Sequence, residues 1–208
     1  DRGRSMALGN AGSGLVGYVP PNPPSNTLNG RTQPDVAARA TRLMRILGLD
    51  PGSIATGYGL VERRGGQVVY VAHGTLRPPR AGALPERLAF LHREIARIVA
   101  EHRPEFAAVE RIFAGRSVRA ALVLGQARGV ALAAIAACGI PISELSPQQV
   151  KLAVTGSGAA EKTQVQAMVR RLLALATAPP RDAADALAIA LCCAHAGRLW
   201  ALGQSHLT

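Results

Sequence analysis

Short apolar segments bounded by turn residues recur along the chain from residue 45 onward. They predict five β-strands, at residues 45–50, 56–63, 67–76, 106–110 and 140–145. Pro51-Gly52 ends the first strand in a turn, and Gly65-Gly66 joins the second and third strands as a hairpin. The predicted sheet therefore contains at least one antiparallel pair.

Longer segments with helical periodicity lie between and after these strands. Residues 85–101 have apolar positions three or four residues apart, which is typical of an amphipathic helix. Residues 117–138 predict a long, mostly apolar helix, and Ser146-Pro147 has the residue types of a helix start. Two more helices are predicted at 161–175 and 182–196. This order predicts an α/β fold, a mixed five-stranded sheet flanked by helices.

Residues 1–43 differ in composition from the rest of the chain. They are rich in Pro, Gly, Asn and Ser and show little apolar periodicity. We interpret them as a disordered N-terminal extension or as an artefact of the start site, because Met44 directly precedes the first strand. The folded domain is then expected at residues 44–197, with a tail at 198–208.

The charge of the chain favours an anionic partner. Of its 208 residues, 24 are Lys or Arg and 13 are Asp or Glu, which gives a formal net charge of +11. This balance indicates nucleic acid or an anionic membrane surface, unless it only reflects a genome rich in Arg and Ala codons. The longest uncharged apolar stretch, 129–142, is too short to span a bilayer, and no secretory signal is evident. We therefore expect a cytoplasmic protein without a membrane partner.

Three cysteines are too few, and odd in number, for a disulfide framework, which indicates a reducing compartment. Cys192, Cys193 and His195 lie close together in sequence, but no second pair of ligands stands at zinc spacing. We interpret the two cysteines as small buried helix residues.

Four carboxylates are the strongest candidates for chemistry. Asp50 and Glu110 each end a predicted strand, and Asp182 and Asp185 share one face of the last helix. Clustered carboxylates repel one another unless a cation neutralises them, and Mg²⁺ prefers such oxygen ligands. A pair of such ions can hydrolyse a phosphodiester. Alternatively, Asp182 is a helix N-cap and Asp50 a turn residue, but each of these explanations covers one residue only.

The motifs around these carboxylates resemble those of the RuvC crossover junction endodeoxyribonucleases, the bacterial Holliday junction resolvases. The matching segments are GLDPGS (48–53), TGYG (56–59), VERIF (109–113), LGQARGV (124–130), GAAEKTQVQAMV (158–169) and DAADALAIA (182–190). The resemblance implies a ribonuclease H-like fold and a homodimer that nicks four-way DNA junctions symmetrically during homologous recombination and repair. A partner complex that drives branch migration is also implied.

The resemblance assigns roles to individual residues. Asp50, Glu110, Asp182 and Asp185 would be catalytic and bind two Mg²⁺ ions, with Mn²⁺ as a substitute. Phe113 would stack on a base in the junction, and Lys151 and Lys162 would contact phosphate. Without the resemblance, a core phenylalanine and solvated surface lysines would be the simpler interpretation. The charge and position of three arginines add them as candidate DNA contacts: Arg111, Arg116 and Arg119.

Other functional classes fit the sequence less well. An actin-like or sugar-kinase ATPase shares the Asp-x-Gly turn, but it requires a second phosphate loop and a longer chain. Residues 156–163 resemble a P-loop, yet Glu161 replaces a required glycine and would repel phosphate. A non-catalytic junction binder would be expected to lack one or more carboxylates. A nuclease acting on RNA–DNA hybrids stays open on the acidic residues alone.

Overall fold

A computed structural model describes residues 43–52, 54–111 and 118–200 of the chain. The described part contains five strands: β1 (Met44–Asp50), β2 (Thr56–Arg64), β3 (Gln67–Leu76), β4 (Phe106–Glu110) and β5 (Ile142–Leu145). They form one sheet in the order β3-β2-β1-β4-β5. The pairs β1–β2 and β2–β3 are antiparallel, whereas β1–β4 and β4–β5 are parallel. The predicted mixed five-stranded sheet is confirmed.

Five helices flank the sheet in the described part of the chain: α1 (Leu84–His102), α2 (Val118–Ala137), α3 (Pro147–Thr155), α4 (Lys162–Leu172) and α5 (Arg181–Trp200). The predicted helix start at Ser146-Pro147 is confirmed, because the Ser146 hydroxyl accepts a hydrogen bond from the Gln149 backbone N–H at 3.2 Å. The predicted end of α4 at residue 175 is three residues too late. Ala174 adopts a left-handed conformation with φ 49°, and this conformation cannot continue the helix.

Alternate side chains of β1 supply two separate hydrophobic cores, as expected for a strand buried on both faces. Ile46 belongs to the core that contains side chains of α3, α4 and α5. Leu47 and Leu49 belong to the core on the other face, which contains side chains of α1 and α2. The sheet is thus the middle layer of three.

Helix α5 lies directly on the sheet because glycines in the strands below it leave room for its backbone. A Cβ atom built on Gly48 would lie 2.1 Å from the Ala186 carbonyl oxygen, and one on Gly57 would lie 1.9 Å from that of Asp182. Neither distance is compatible with a side chain. The glycines of the strands therefore fix the height and position of the first turns of α5.

Helix α2 is the one helix in the described residues that is long and apolar enough to cross a membrane by length and composition. A core helix of a soluble protein can pass the same test. Four of its side chains, Ala127, Ala131, Ala134 and Ile135, lie in the core. However, only 22% of its most apolar stretch is buried, and Val118 and Leu122 are 78% and 64% exposed. The helix thus has an apolar face that the described chain does not cover.

Several sequence predictions fall outside the described residues. These include the N-terminal extension up to residue 42, the end of the chain from residue 201, and the side chains Phe113 and Arg116.

Helix α5 extends to Trp200, four residues beyond its predicted end at residue 196.

Candidate active site

The parallel pairing of β1 and β4 brings two of the four predicted carboxylates to the same edge of the sheet. Leu49 pairs with Val109, so Asp50 and Glu110 are the next residues on two neighbouring strands. Both stand at the carboxyl end of their strand and are half-buried. Parallel strands present their carboxyl ends together, so the two side chains belong to one site.

The other two carboxylates reach this edge from α5. Asp50 pairs with Gly57 across the antiparallel ladder, and the Gly57 backbone contacts the Asp182 carbonyl. Asp185 follows one turn later on the same face of the helix. The N-cap alternative for Asp182 is wrong, because α5 already begins at Arg181. Asp182 is instead an acidic residue in the first turn, a position that the helix dipole favours.

Asp50 interacts electrostatically with each of the other three carboxylates. Burial is the largest cause of a raised pKa for Asp50, which shifts from 3.8 to about 7. The negative charges of Asp185, Glu110 and Asp182 raise this pKa further, in that order, while Lys162 lowers it. A carboxyl group surrounded in this way binds its proton tightly unless another cation replaces the proton.

Glu110 responds to the same surroundings. Burial first, and then the charge of Asp185, raise the pKa of the Glu110 carboxyl, while Lys162 and Lys151 lower it. Lys151 is partly buried on α3, and Lys162 is the exposed first residue of α4. Both lysines of the chain are thus close enough to Glu110 to lower its pKa, and their predicted phosphate contacts stay predictions.

Two cations contact the carboxylates of α5 directly. Lys162 Nζ lies 3.4 Å from Asp185 Oδ2, and Arg77 Nη2 lies 3.5 Å from Asp182 Oδ2. Lys162 was among the predicted phosphate contacts, whereas Arg77 was not predicted. Arg77 follows the last residue of β3, and the β2–β3 hairpin carries it to the α5 end of the site.

The donor chemistry of the cluster fits hard divalent cations, which prefer carboxylate oxygens. In residues 43–52, 54–111 and 118–200, no three His, Cys, Asp or Glu side chains are placed as a complete metal site. Asp182 and Asp185 are instead turned towards Arg77 and Lys162. These residues could hold a divalent ion after the two carboxylates exchange their present cations for it.

Arg128 of α2 also contacts the site and was not predicted. Its Nε donates a hydrogen bond to the Glu110 carbonyl oxygen at 3.2 Å, and its Nη2 binds the Glu144 carboxylate. The Arg128 side chain is only 17% exposed. It lies within the LGQARGV segment of the motif match, and that position was the available signal.

Two of the three predicted arginines, Arg111 and Arg119, lie on the surface. Arg111 directly follows Glu110, is exposed, and donates its backbone N–H to the Leu145 carbonyl oxygen at 2.7 Å. Arg119 is exposed near the start of α2. Arg116 and Phe113 are outside the described residues, so their predicted roles stay predictions.

The two adjacent cysteines belong to the packing of α5. Cys192 and Cys193 are buried, and burial raises the pKa of each thiol to about 11. The thiols are therefore protonated and unreactive at neutral pH. This agrees with their interpretation as small helix residues.

A family model described as crossover junction endodeoxyribonuclease RuvC matches residues 46–193. The chain belongs to the RuvC family. It is 52% identical over 153 residues to the RuvC of Halorhodospira halophila, covering 74% of this chain and 91% of that protein. It is 45% identical over 166 residues to the RuvC of Syntrophomonas wolfei, covering 79% of this chain and 96% of that protein.

Solved structures agree with this assignment. The Thermus thermophilus RuvC in complex with a Holliday junction substrate has a TM-score of 0.72 at 35% identity, covering 76% of this chain and 97% of that one. The yeast mitochondrial resolvase Ydc2, with a TM-score of 0.55 at 14% identity, shares the fold. The predicted ribonuclease H-like fold and family are confirmed. This RuvC-family chain is therefore a Holliday junction resolvase, a divalent-metal-dependent endodeoxyribonuclease of recombination and repair.

Proposed function

We propose that this RuvC-family enzyme cuts four-way DNA junctions by Mg²⁺-dependent hydrolysis at Asp50, Glu110, Asp182 and Asp185. Each active site would bind two Mg²⁺ ions, and Mn²⁺ could replace them. The raised pKa of Asp50, about 7 and increased by three neighbouring carboxylates, is the observation that supports this most strongly. Four oxygen ligands at one sheet edge suit two hard cations that also bind phosphate.

The protein groups have separate tasks in this proposal. Bound divalent ions would supply charge neutralisation and water activation at the scissile phosphate. Asp50 and Glu110 sit on rigid strand ends, which fixes their oxygens relative to each other. Asp182 and Asp185 are held by the contact of α5 with Gly57. Lys162 supplies a positive charge at the point where negative charge develops during hydrolysis.

Binding of the junction would use the basic residues around this edge. Lys151 and Lys162 would contact phosphates of the DNA strand that is cut. Their positions support this, because both lower the pKa of Glu110 and Lys162 also lowers that of Asp50. Further along the strand, the backbone contacts would come from Arg111, Arg116 and Arg119. Phe113 would stack on a base and hold the junction open. The excess of basic residues predicts binding that weakens strongly with salt.

We also infer a homodimer, in which two active sites make symmetrical nicks in strands of like polarity. The uncovered apolar face of α2, with Val118 and Leu122, supports this assembly. A branch-migration motor complex would deliver the junction, and the enzyme would act in the cytoplasm. Residues 44–197 would form the nuclease domain, between an N-terminal extension at 1–43 and a tail at 198–208.

Cleavage assays test the proposed reaction. The protein is incubated with a four-way junction, a matched linear duplex and an RNA–DNA hybrid, in Mg²⁺ or in EDTA. Paired nicks in the junction alone, absent in EDTA and in the isosteric variant Asp50→Asn, are the expected result. Tight junction binding without nicks in any divalent metal would contradict the proposal, and cleavage of the hybrid would indicate a ribonuclease.

Sedimentation tests the dimer separately. Leu122→Glu places a charge on the uncovered face of α2 and should shift the protein from dimer to monomer. Leu172→Glu is a matched control on α4, because Leu172 is also exposed, at 41%. A monomeric parent protein, or dissociation by both variants, would contradict the assignment of this face.

A further inference from the structure

Arg77 and Lys162 reach the active site from different parts of the fold. Arg77 follows the end of β3, whereas Lys162 begins α4. Arg77 follows Leu76, which pairs with Thr56 at the start of β2. The next residue of β2, Gly57, contacts the backbone of Asp182. The β2–β3 hairpin thus places the Arg77 guanidinium beside Asp182, and Arg77 Nη2 lies 3.5 Å from Asp182 Oδ2.

The ion pair itself contributes little to the stability of the fold. The side chains of Arg77 and Asp182 are 63% and 37% exposed, and pairs of this kind are readily exchanged for other partners. An arginine keeps its charge at all working pH values. Arg77 is therefore a permanent cation that can leave Asp182 easily.

We propose that Arg77 is a phosphate-binding residue of the active site, which Asp182 holds in the metal-free enzyme and which moves to a DNA phosphate when a divalent ion binds Asp182. The inference rests on the proposed function, in which Asp182 is a metal ligand. A bound ion repels the guanidinium and cancels the charge that attracts it. A guanidinium can then bind a phosphate with two parallel N–H donors.

The charge balance of the site supports this exchange. Two divalent ions would neutralise four carboxylates and leave the charge of the DNA phosphates to other cations. Lys162 and Arg77 are suitably placed, because each contacts one of the two carboxylates on α5. Lys162 begins α4 and Arg77 follows β3. Each of these two segments therefore places one cation beside the carboxylates.

Junction binding at several salt concentrations tests the proposal. The variants are Arg77→Ala and Arg77→Lys, with Arg97→Ala as a control. Arg97 is similarly exposed, at 57%, and pairs with Glu94 and Glu101 on α1. In Ca²⁺, with the junction checked to be uncut, Arg77→Ala should make the negative slope of log K against log salt shallower by about 0.9 per lost contact. In EDTA the slope should match the parent, and Arg77→Lys should restore it in Ca²⁺.

Two outcomes of this measurement would overturn the proposal. If Arg77→Ala makes the slope shallower by the same amount in Ca²⁺ and in EDTA, no metal-linked exchange takes place. If Arg77→Ala and Arg97→Ala give the same slope in Ca²⁺, Arg77 does not bind phosphate.

Mn²⁺ binding without DNA, measured by calorimetry, distinguishes failure of the proposed metal site from failure of the proposed Arg77 exchange. Arg77→Ala should tighten Mn²⁺ binding by up to about fivefold, because the guanidinium no longer competes for Asp182. Asp182→Asn should weaken it. Unchanged Mn²⁺ binding by Asp182→Asn would refute the proposed metal site. If Asp182→Asn weakens Mn²⁺ binding but Arg77→Ala and Arg97→Ala have the same Mn²⁺ affinity, the metal site stands and only the proposed exchange of Arg77 is refuted.

Discussion

Lys162 Nζ lies 3.4 Å from Asp185 Oδ2, so the first residue of α4 is paired with a carboxylate of α5. The Lys162 side chain is 58% exposed, whereas that of Asp185 is 24% exposed. The ammonium group therefore stays accessible to a ligand while it offsets negative charge at the site. Lys162 also lowers the pKa values of Asp50 and Glu110.

Replacing Lys162 should affect catalysis far more than folding. Lys162→Ala is expected to lower the single-turnover cleavage rate by about 10²-fold, the usual effect of removing one group that stabilises developing charge. An exposed ion pair contributes only about 0–1 kcal/mol, so the Tm should change little. Cleavage of a four-way junction and thermal unfolding measure the two effects. An unchanged rate, or a rate loss explained by unfolding, would contradict this role.

Asp50→Asn should abolish cleavage and stabilise the metal-free protein. The pKa of Asp50 is raised from 3.8 to about 7 in the folded state. Between roughly pH 4 and 7 the folded protein retains a proton that the unfolded chain has lost, so this group lowers the free energy of unfolding as the pH rises. Asparagine removes the effect. In EDTA, its gain in Tm should be absent near pH 4, grow towards pH 7 and then stay constant.

The exposed carboxylate Glu101 on α1 provides the control for this measurement. Glu101→Gln also removes one acidic group, but Glu101 pairs with Arg97 on the surface, outside the active-site cluster. It should not reproduce the gain of Asp50→Asn. If the Tm of Asp50→Asn equals that of the parent protein at pH 8 in EDTA, burial and the neighbouring charges do not destabilise the ionised Asp50 carboxylate.

The sequence predicted those parts of the fold in which local signals agree with the final structure. Strand β3 at Gln67–Leu76 and strand β4 at Phe106–Glu110 have their predicted bounds, because turn residues and carboxylates mark their ends. Helix α5 passes through Gly197, the residue after its predicted end at 196. A single glycine costs a helix only about 1 kcal/mol, so it does not by itself end one.

The site was predictable in composition but not in its contacts. All four carboxylates stood out in the sequence, and three of them alter the pKa of Asp50 in the structure. Arg77 and Arg128 were missed, because a salt bridge or hydrogen bond between distant residues depends on strand order and helix placement. The parallel pairing of β1 with β4 sets that order, and no local pattern in either strand specifies it.

Gly57→Ala should displace the first turn of α5 and impair cleavage. The new Cβ atom would lie 1.9 Å from the Asp182 carbonyl oxygen, so strand and helix must separate. We expect a loss of about 1–3 kcal/mol in the free energy of unfolding, as for other overpacked sites. Cleavage should fall by at least tenfold, because small displacements of catalytic groups are costly. Chemical denaturation and single-turnover cleavage provide the measurements.

Gly66→Ala is the matched control for Gly57. Gly66 is exposed in the β2–β3 turn, and a Cβ atom there meets nothing within 4 Å. It should leave stability and cleavage near the parent values. Equal behaviour of the two variants would show that close packing at Gly57 does not position Asp182.

Arg128 should act by positioning the end of β4. Its Nε holds the Glu110 carbonyl at 3.2 Å, and its Nη2 binds Glu144 on β5. Arg128→Ala removes both contacts and should lower the cleavage rate by about tenfold or more, since Glu110 loses its fixed position. Junction affinity in Ca²⁺ should change less than the rate. Single-turnover rates at saturating enzyme and binding titrations separate the two quantities.

Conservative variants test whether Arg128 has more than a packing role. Glu144→Gln leaves the bond from Arg128 to the Glu110 carbonyl in place, so its rate should stay closer to the parent than that of Arg128→Ala. Arg128→Lys keeps the charge but cannot bind the carbonyl and the carboxylate with one planar group. It should therefore recover stability more than rate. If rate and stability fall in parallel in all three variants, Arg128 supports the fold only, and the assignment to Glu110 is wrong.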